Sequence, residues 1–157
     1  TLPITAISKT DFKMLNLPHH YSIKVNGTPT GDLIASADHL PQLEISPPLE
    51  FGGPGDKWSP EDLLMAAVAN CLVLSFRIIA EKSKLEWTSI ECISEGELNL
   101  VDGKMLFTKI NSQVMLVILS EDDRAKAEKL LHRAEETCLI SNSLSAELTL
   151  ETRITSS

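Results

Sequence analysis

Aromatic side chains are scarce in this sequence, 4% of 157 residues, so its core must be mainly aliphatic. Basic clusters are missing as well. The formal charge is −8, the isoelectric point is near 4.9, and lysine and arginine form no run anywhere. That excludes the concentrated basic face on which nucleic-acid binding depends. No uncharged apolar stretch reaches membrane-spanning length: the most apolar segment, 63–80, carries Arg77, follows Glu61-Asp62 and reads as a buried helix. The first 20 residues lack the apolar centre of a secretory signal. Only three cysteines occur, an odd number without such a signal, which fits a reducing compartment better than a disulfide scaffold. The expected location is the cytoplasm. Arginine is absent from the whole stretch before Arg77.

What is there is ordinary for a soluble globular chain: 43% apolar and 23% charged residues, at a length suited to one domain with a sizeable core. Residues 1–20 show no clean period and read as an N-terminal arm. From Tyr21 the pattern turns β-like over 21–46, with "YSIKVNG" and "DLIASAD" as a hairpin and "LEIS" as a third strand. Residues 47–58, rich in proline and glycine, form a loop. A helix start follows at "WSPEDLL". Ser59 is a preferred N-cap, Pro60 suits the first helical position, and Asp62 stands where it can close a capping box. This central helix is expected over 59–83. It is apolar nearly all round, so one small sheet cannot cover it, which hints at a second subunit.

Within 87–157, Asp102-Gly103 joins two extended stretches as a hairpin turn. Ser120 with Asp123 repeats the capping pattern before a second helix, and "AELTLETRI" ends the chain as a strand. The order β-β-β-α-β-β-α-β defines an α+β fold with mostly antiparallel strands.

A free cysteine is most often a small core residue. Cys92, alternating within "IECIS", fits that role. Cys71 and Cys138 stand in more distinctive settings, "SPEDLLMAAVANC" and "CLISNSL". Ser141 or Asn142 is expected to cap a short turn after Cys138. Adjacent His19 and His20 fit a solvated turn better than a metal pair, and "FGGPGDK" lacks the Lys-Ser/Thr of a phosphate loop.

These two motifs, with ten positions between Glu61 and Cys71, resemble the OsmC/Ohr family of thiol peroxidases. The resemblance implies an OsmC-like fold in an intertwined homodimer. It implies a peroxidase that reduces hydroperoxides, organic ones foremost, without a bound cofactor. Cys71 would become a sulfenic acid and condense with Cys138 to a disulfide, which an external dithiol or lipoyl-type reductant reopens. Glu61 would be the family's carboxylate that holds an arginine beside the thiolate. No nucleic acid or membrane partner is implied.

This chain departs from the family in lacking that N-terminal arginine. The physical need is plain. A thiol of ordinary pKa is about 3% ionised at pH 7, and lowering the pKa to ~6 gives a roughly 30-fold gain in thiolate. Lys24 and His39 are candidate replacements. Lys24 keeps the charge without arginine's planar fork. Arg77, six residues beyond Cys71, lies about 600° around the helix and faces elsewhere. The alternative function is a non-enzymatic redox-sensing or small-molecule-binding module that kept the thiols without the activating arginine.

Overall fold

The computed structural model describes residues 16–157. Most of the expected N-terminal arm therefore lies outside the described residues. The chain divides into two compact units, Thr1–Ile45 and Ser46–Ser157.

The described part of the first unit is a three-stranded antiparallel sheet of β1 (Lys24–Asn26), β2 (Leu33–Ser36) and β3 (Leu43–Ile45), in that order. Lys24 pairs with Ser36, and Leu33 with Ile45. Gly31 turns the first connection at φ 87°, and His39 sits in a left-handed turn after β2 at φ 65°. The strands are short and leave Val25, Leu33 and Leu43 exposed.

The second unit holds α1 (Pro60–Lys82), the long hairpin β4 (Trp87–Val101) and β5 (Lys104–Ile118), α2 (Arg124–Thr137), the short α3 (Leu139–Asn142) and β6 (Glu147–Ser156). Helix α1 begins as its sequence dictates. The Ser59 hydroxyl accepts from the Asp62 N–H at 3.1 Å, and the Asp62 carboxylate accepts from the Ser59 N–H at 3.1 Å. Both orphan donors are satisfied. At the hairpin tip Asp102 and Gly103 both adopt positive φ, 49° and 78°, the primed turn that matches strand twist.

One feature differs from the sequence expectation, and a second was not specified by it. The Ser120 hydroxyl accepts from the Asp122 N–H rather than pairing with Asp123, because a one-turn 3-10 helix, Glu121–Asp123, precedes α2. Strand β6 pairs with β5 in parallel, with α2 as the crossover that parallel strands require. Sheet order is β4-β5-β6.

The core sits between the helices and one face of this sheet. From α1 it takes Val68, Leu72, Phe76 and Ala80, a stripe at every fourth residue; from α2, Ala127, Leu130, Leu131 and Ala134. Alternate β5 residues Val114, Leu116 and Ile118 complete it. Gly96 on β4 lets α1 come close, since a Cβ there would meet the Met65 sulfur and the Phe107 ring at 2.8 Å. By length and composition α1 could cross a membrane, yet its core stripe is packed against α2 and the sheet. Its opposite side is left open in the single chain, with Leu74 52% and Ile78 49% exposed.

Phe76 is fully buried and meets Trp87 edge-to-face at 5.6 Å between ring centres. Replacing Phe76 by alanine leaves a cavity at the centre of the core and should destabilise the fold by about 3–5 kcal/mol. The check is the urea unfolding midpoint, read at unchanged denaturant slope.

Candidate functional site: a thiol pair between two helices

Cys71 lies midway along α1, one turn from the core stripe, and is half-buried. Cys138 is fully buried at the point where α2 stops. The chain leaves helical geometry there, at φ −66° and ψ 109°, and α3 starts at the next residue. Cys138 is thus the hinge between two helices, the last cap of one and the first of the other. Ser141 and Asn142 lie within α3 and do not cap it, contrary to the sequence expectation. The chain needs only one non-helical residue to change direction, and Cys138 takes that position. Asn142 instead turns its amide back to donate to the Glu136 carbonyl at 3.1 Å, closing an open carbonyl of α2. The Ser143 hydroxyl donates to the Leu139 carbonyl at 2.8 Å. These bonds fix the segment that carries the Cys138 sulfur.

The Cys138 thiol is near enough to Cys71 to influence its ionisation. Burial is the main influence on Cys71 and pushes its thiol above the ordinary value. The backbone N–H of Ile140 works against that rise by favouring the thiolate. The neighbouring Cys138 thiol adds to the rise, and the Ser75 hydroxyl counters it. Among the described residues no lysine, arginine or histidine enters this balance.

Glu61 occupies the second position of α1, half-buried, and its Oε2 is buried with no hydrogen-bond partner among the described residues. It lines a groove of about 640 Å³ with Phe51, Trp58, Met65, Glu95 and Phe107. Ten residues of helix separate it from Cys71 by about 15 Å, so one chain does not bring these two groups together. Lys24 on β1 and His39 after β2 are exposed and belong to the N-terminal unit. Arg77 is exposed, on a face away from Cys71. His19 and His20 are exposed in a segment without regular structure.

Cys92 faces the core from β4, packed against its apolar cluster, with its sulfur 3.9 Å from the Ser94 hydroxyl. Burial raises its thiol, Ser94 lowers it, and the proximity of Cys138 raises it further. Two contributors at Cys71 went unread in the sequence. Ser75 was visible through its i, i+4 spacing from Cys71. The Ile140 N–H was not, because its aim depends on the break at Cys138.

The OsmC-like protein family model matches residues 53–153. An uncharacterized protein of Bacillus subtilis, YmaD, is 33% identical over 145 residues, covering 85% of this chain and 91% of that one. An OsmC-like protein of unknown function from Vibrio cholerae superposes with a TM-score of 0.80 at 22% identity, covering 87% of this chain and all of that one. An organic hydroperoxide resistance protein OsmC from Legionella pneumophila gives 0.68 at 24% identity, covering 88% and 99%.

Cys92 supplies a pH test. Its folded thiol is raised, so the fold favours the neutral form. That contribution is intact below the unfolded thiol pKa of about 8.5 and is lost as pH climbs towards the folded value. The urea midpoint should fall as pH rises above about 8.5, and Cys92→Ala should fall less steeply over the same range. Equal slopes for the two proteins would contradict the assignment.

Proposed function

The chain belongs to the OsmC-like protein family, and from that premise we propose that it is a thiol-dependent peroxidase acting on hydroperoxides, organic ones foremost. The observation that carries this reading is the placement of Cys71 on α1 and of a buried Cys138 at the break between α2 and α3, near enough for Cys138 to influence the Cys71 thiol. The Cys71 thiolate attacks the terminal peroxide oxygen; the O–O bond breaks and the departing alkoxide takes a proton to leave as alcohol. Cys71 is then a sulfenic acid. Cys138 attacks its sulfur, water leaves, and the disulfide forms. An external dithiol, or a lipoyl-type reductant, returns both thiols. Because the sulfurs are already neighbours in the reduced protein, the second step needs no large movement.

A homodimer is part of this proposal. Leu64, Ala67, Cys71, Leu74 and Ile78 follow one another at alternating steps of three and four, the spacing of a helix-packing seam. Leu74 and Ile78 are open in the single chain. An antiparallel α1 from a second copy covers the N-terminal part of that seam, Leu64 to Cys71, and sets its own Glu61 opposite this Cys71. Glu61, with one oxygen buried and unpaired, is suited to fix a cation at the thiolate. Lys24 and His39 are the proposed sources of that cation.

One observation favours a second reading, a redox-sensing or small-molecule-binding module without turnover: Cys71 is raised, and no described cation offsets this. Steady-state kinetics separate the two. With an organic hydroperoxide and a dithiol, the wild type should turn over many times, and peptide mapping should find a Cys71–Cys138 disulfide. Cys71→Ser should lose activity by at least about 1,000-fold, the scale of a lost nucleophile. Cys138→Ser should complete one turnover and leave a sulfenic acid that dimedone traps. Undiminished turnover in Cys71→Ser would end the peroxidase reading, and a disulfide without turnover would favour the module.

A further inference from the structure

The groove beside Glu61 is built entirely within the second unit. One wall is the loop of residues 47–58, whose base is closed by the Ser46 N–H donating to the Trp58 carbonyl at 3.0 Å. Inside the loop the Gly53 N–H donates to the Pro48 carbonyl at 2.9 Å. A Cβ at Gly53 would meet the Pro47 carbonyl oxygen at 1.6 Å, so the backbone there is drawn tight. The facing wall is the β4–β5 hairpin, with Leu98 and Phe107, and the first turns of α1 form the floor, with Met65 and Ala69. A cleft of about 640 Å³ between a loop, a helix and a hairpin has the size and pre-formed walls of a small-molecule site.

Its charge is of one sign. Glu50, Glu61, Asp62 and Glu95 line it, with no lysine, arginine or histidine among the lining residues. The Asp62 carboxylate is engaged by Ser59 at the start of α1, but the Glu61 Oε2 is buried with no hydrogen-bond partner among the described residues. A carboxylate oxygen only accepts, so what completes it is a donor. Aromatic rings stand beside these carboxylates: Phe51 and Trp58 from the loop, each about half exposed, and Phe107 from β5. Ring faces attract cations, more strongly where water is excluded. The groove also lies clear of the α1 seam. At about 100° per residue, Asp62, Met65, Ala66 and Ala69 point about 170° away from Leu64, Ala67, Cys71, Leu74 and Ile78. A second copy seated on the seam leaves the groove open, and one side-chain cation brought to Glu61 leaves Glu50 and Glu95 uncompensated.

We propose that this groove binds an organic ammonium ion, a protonated primary amine on a short apolar chain. The ammonium donates to the Glu61 Oε2 within the field of Glu50 and Glu95, and the chain lies against Met65, Leu98 and the aromatic rings. A neutral alcohol lacks the charge, and a carboxylate is repelled. A quaternary ammonium keeps the attraction to the rings but has no N–H for Glu61. The inference is independent of the peroxidase reading, since neither Cys71 nor Cys138 takes part.

The test is isothermal titration calorimetry of the intact protein with hexylamine, hexyltrimethylammonium, hexanol and hexanoate. Hexylamine should bind saturably, one per chain, and about 10-fold more tightly than hexanol or hexanoate. Glu61→Gln should weaken hexylamine about 10-fold and hexyltrimethylammonium less, because only hexylamine loses a hydrogen bond to a charged group. Trp58→Ala should weaken both ammonium ions about 3-fold. Selectivity in the wild type decides the matter by itself should Glu61→Gln fail to fold. The proposal is overturned if the wild type shows no saturable binding of hexylamine, if hexanol or hexanoate binds as tightly, or if a folded Glu61→Gln keeps the wild-type affinity. Calorimetry uses no peroxide, so failure of the peroxidase reading shows separately, as a wild type that binds hexylamine without turnover.

Discussion

The packing of one α1 stripe against α2 and the sheet sets the geometry of everything else in the second unit. Val68, Leu72, Phe76 and Ala80 are spaced by one turn, so burying them fixes how α1 is rotated about its own axis. Once that rotation is set, Cys71 is carried to the edge of the core rather than into it, Ser75 follows on the same side, and Arg77 is turned away. The same contact anchors α2 through Ala127, Leu130, Leu131 and Ala134. The end of α2, with Cys138 one turn beyond Ala134, is thereby delivered to the α1 edge. The two thiols meet because two helices share a core, without any direct attraction between the sulfurs.

That arrangement has an electrostatic cost. A sulfur at the margin of an aliphatic core is desolvated, and its partner thiol disfavours ionisation further. The fold opposes this with fixed dipoles. The break at Cys138 turns the Ile140 N–H towards Cys71, and the helix period brings up the Ser75 hydroxyl. Neither is a full charge, and burial remains the larger influence. At the N-terminal end of the helix the Glu61 Oε2 is likewise buried with no hydrogen-bond partner among the described residues.

Much of this was legible in the sequence because it depends on local rules. Ser59, Pro60 and Asp62 determine a helix start by hydrogen bonding within four residues, and Asp102-Gly103 determines a turn by backbone sterics. The thiol motifs and the resemblance they carry are local too. What was illegible depends on the path between elements. Pairing of β6 with β5 in parallel follows from where α2 returns the chain, which residue types do not encode. Ser120 caps a 3-10 turn because the chain tightens before α2. Cys138, and not Ser141 or Asn142, is the cap because the change of direction falls one residue after α2. The separation of Glu61 from Cys71, by contrast, was already implied by ten residues of helix and needed only the rise per residue.

The two unfinished surfaces of the second unit bear on each other. The open seam of α1 contains Cys71 itself, so whatever covers Leu74 and Ile78 also sets the solvent access and dielectric of the reactive sulfur. Glu61 lies on the same helix about 15 Å away, too far to act on its own Cys71 and too buried to be left unpaired. In the proposed dimer, an antiparallel α1 whose Glu61 stands opposite this Cys71 overlaps only residues 60–72 of the helix, and Leu74 and Ile78 are left to other parts of the second copy. A parallel partner would bury the seam and leave each Glu61 beside the other, pairing two carboxylates. In the proposed dimer only the antiparallel form sets Glu61 beside Cys71, where carboxylate and thiolate both need the same cation.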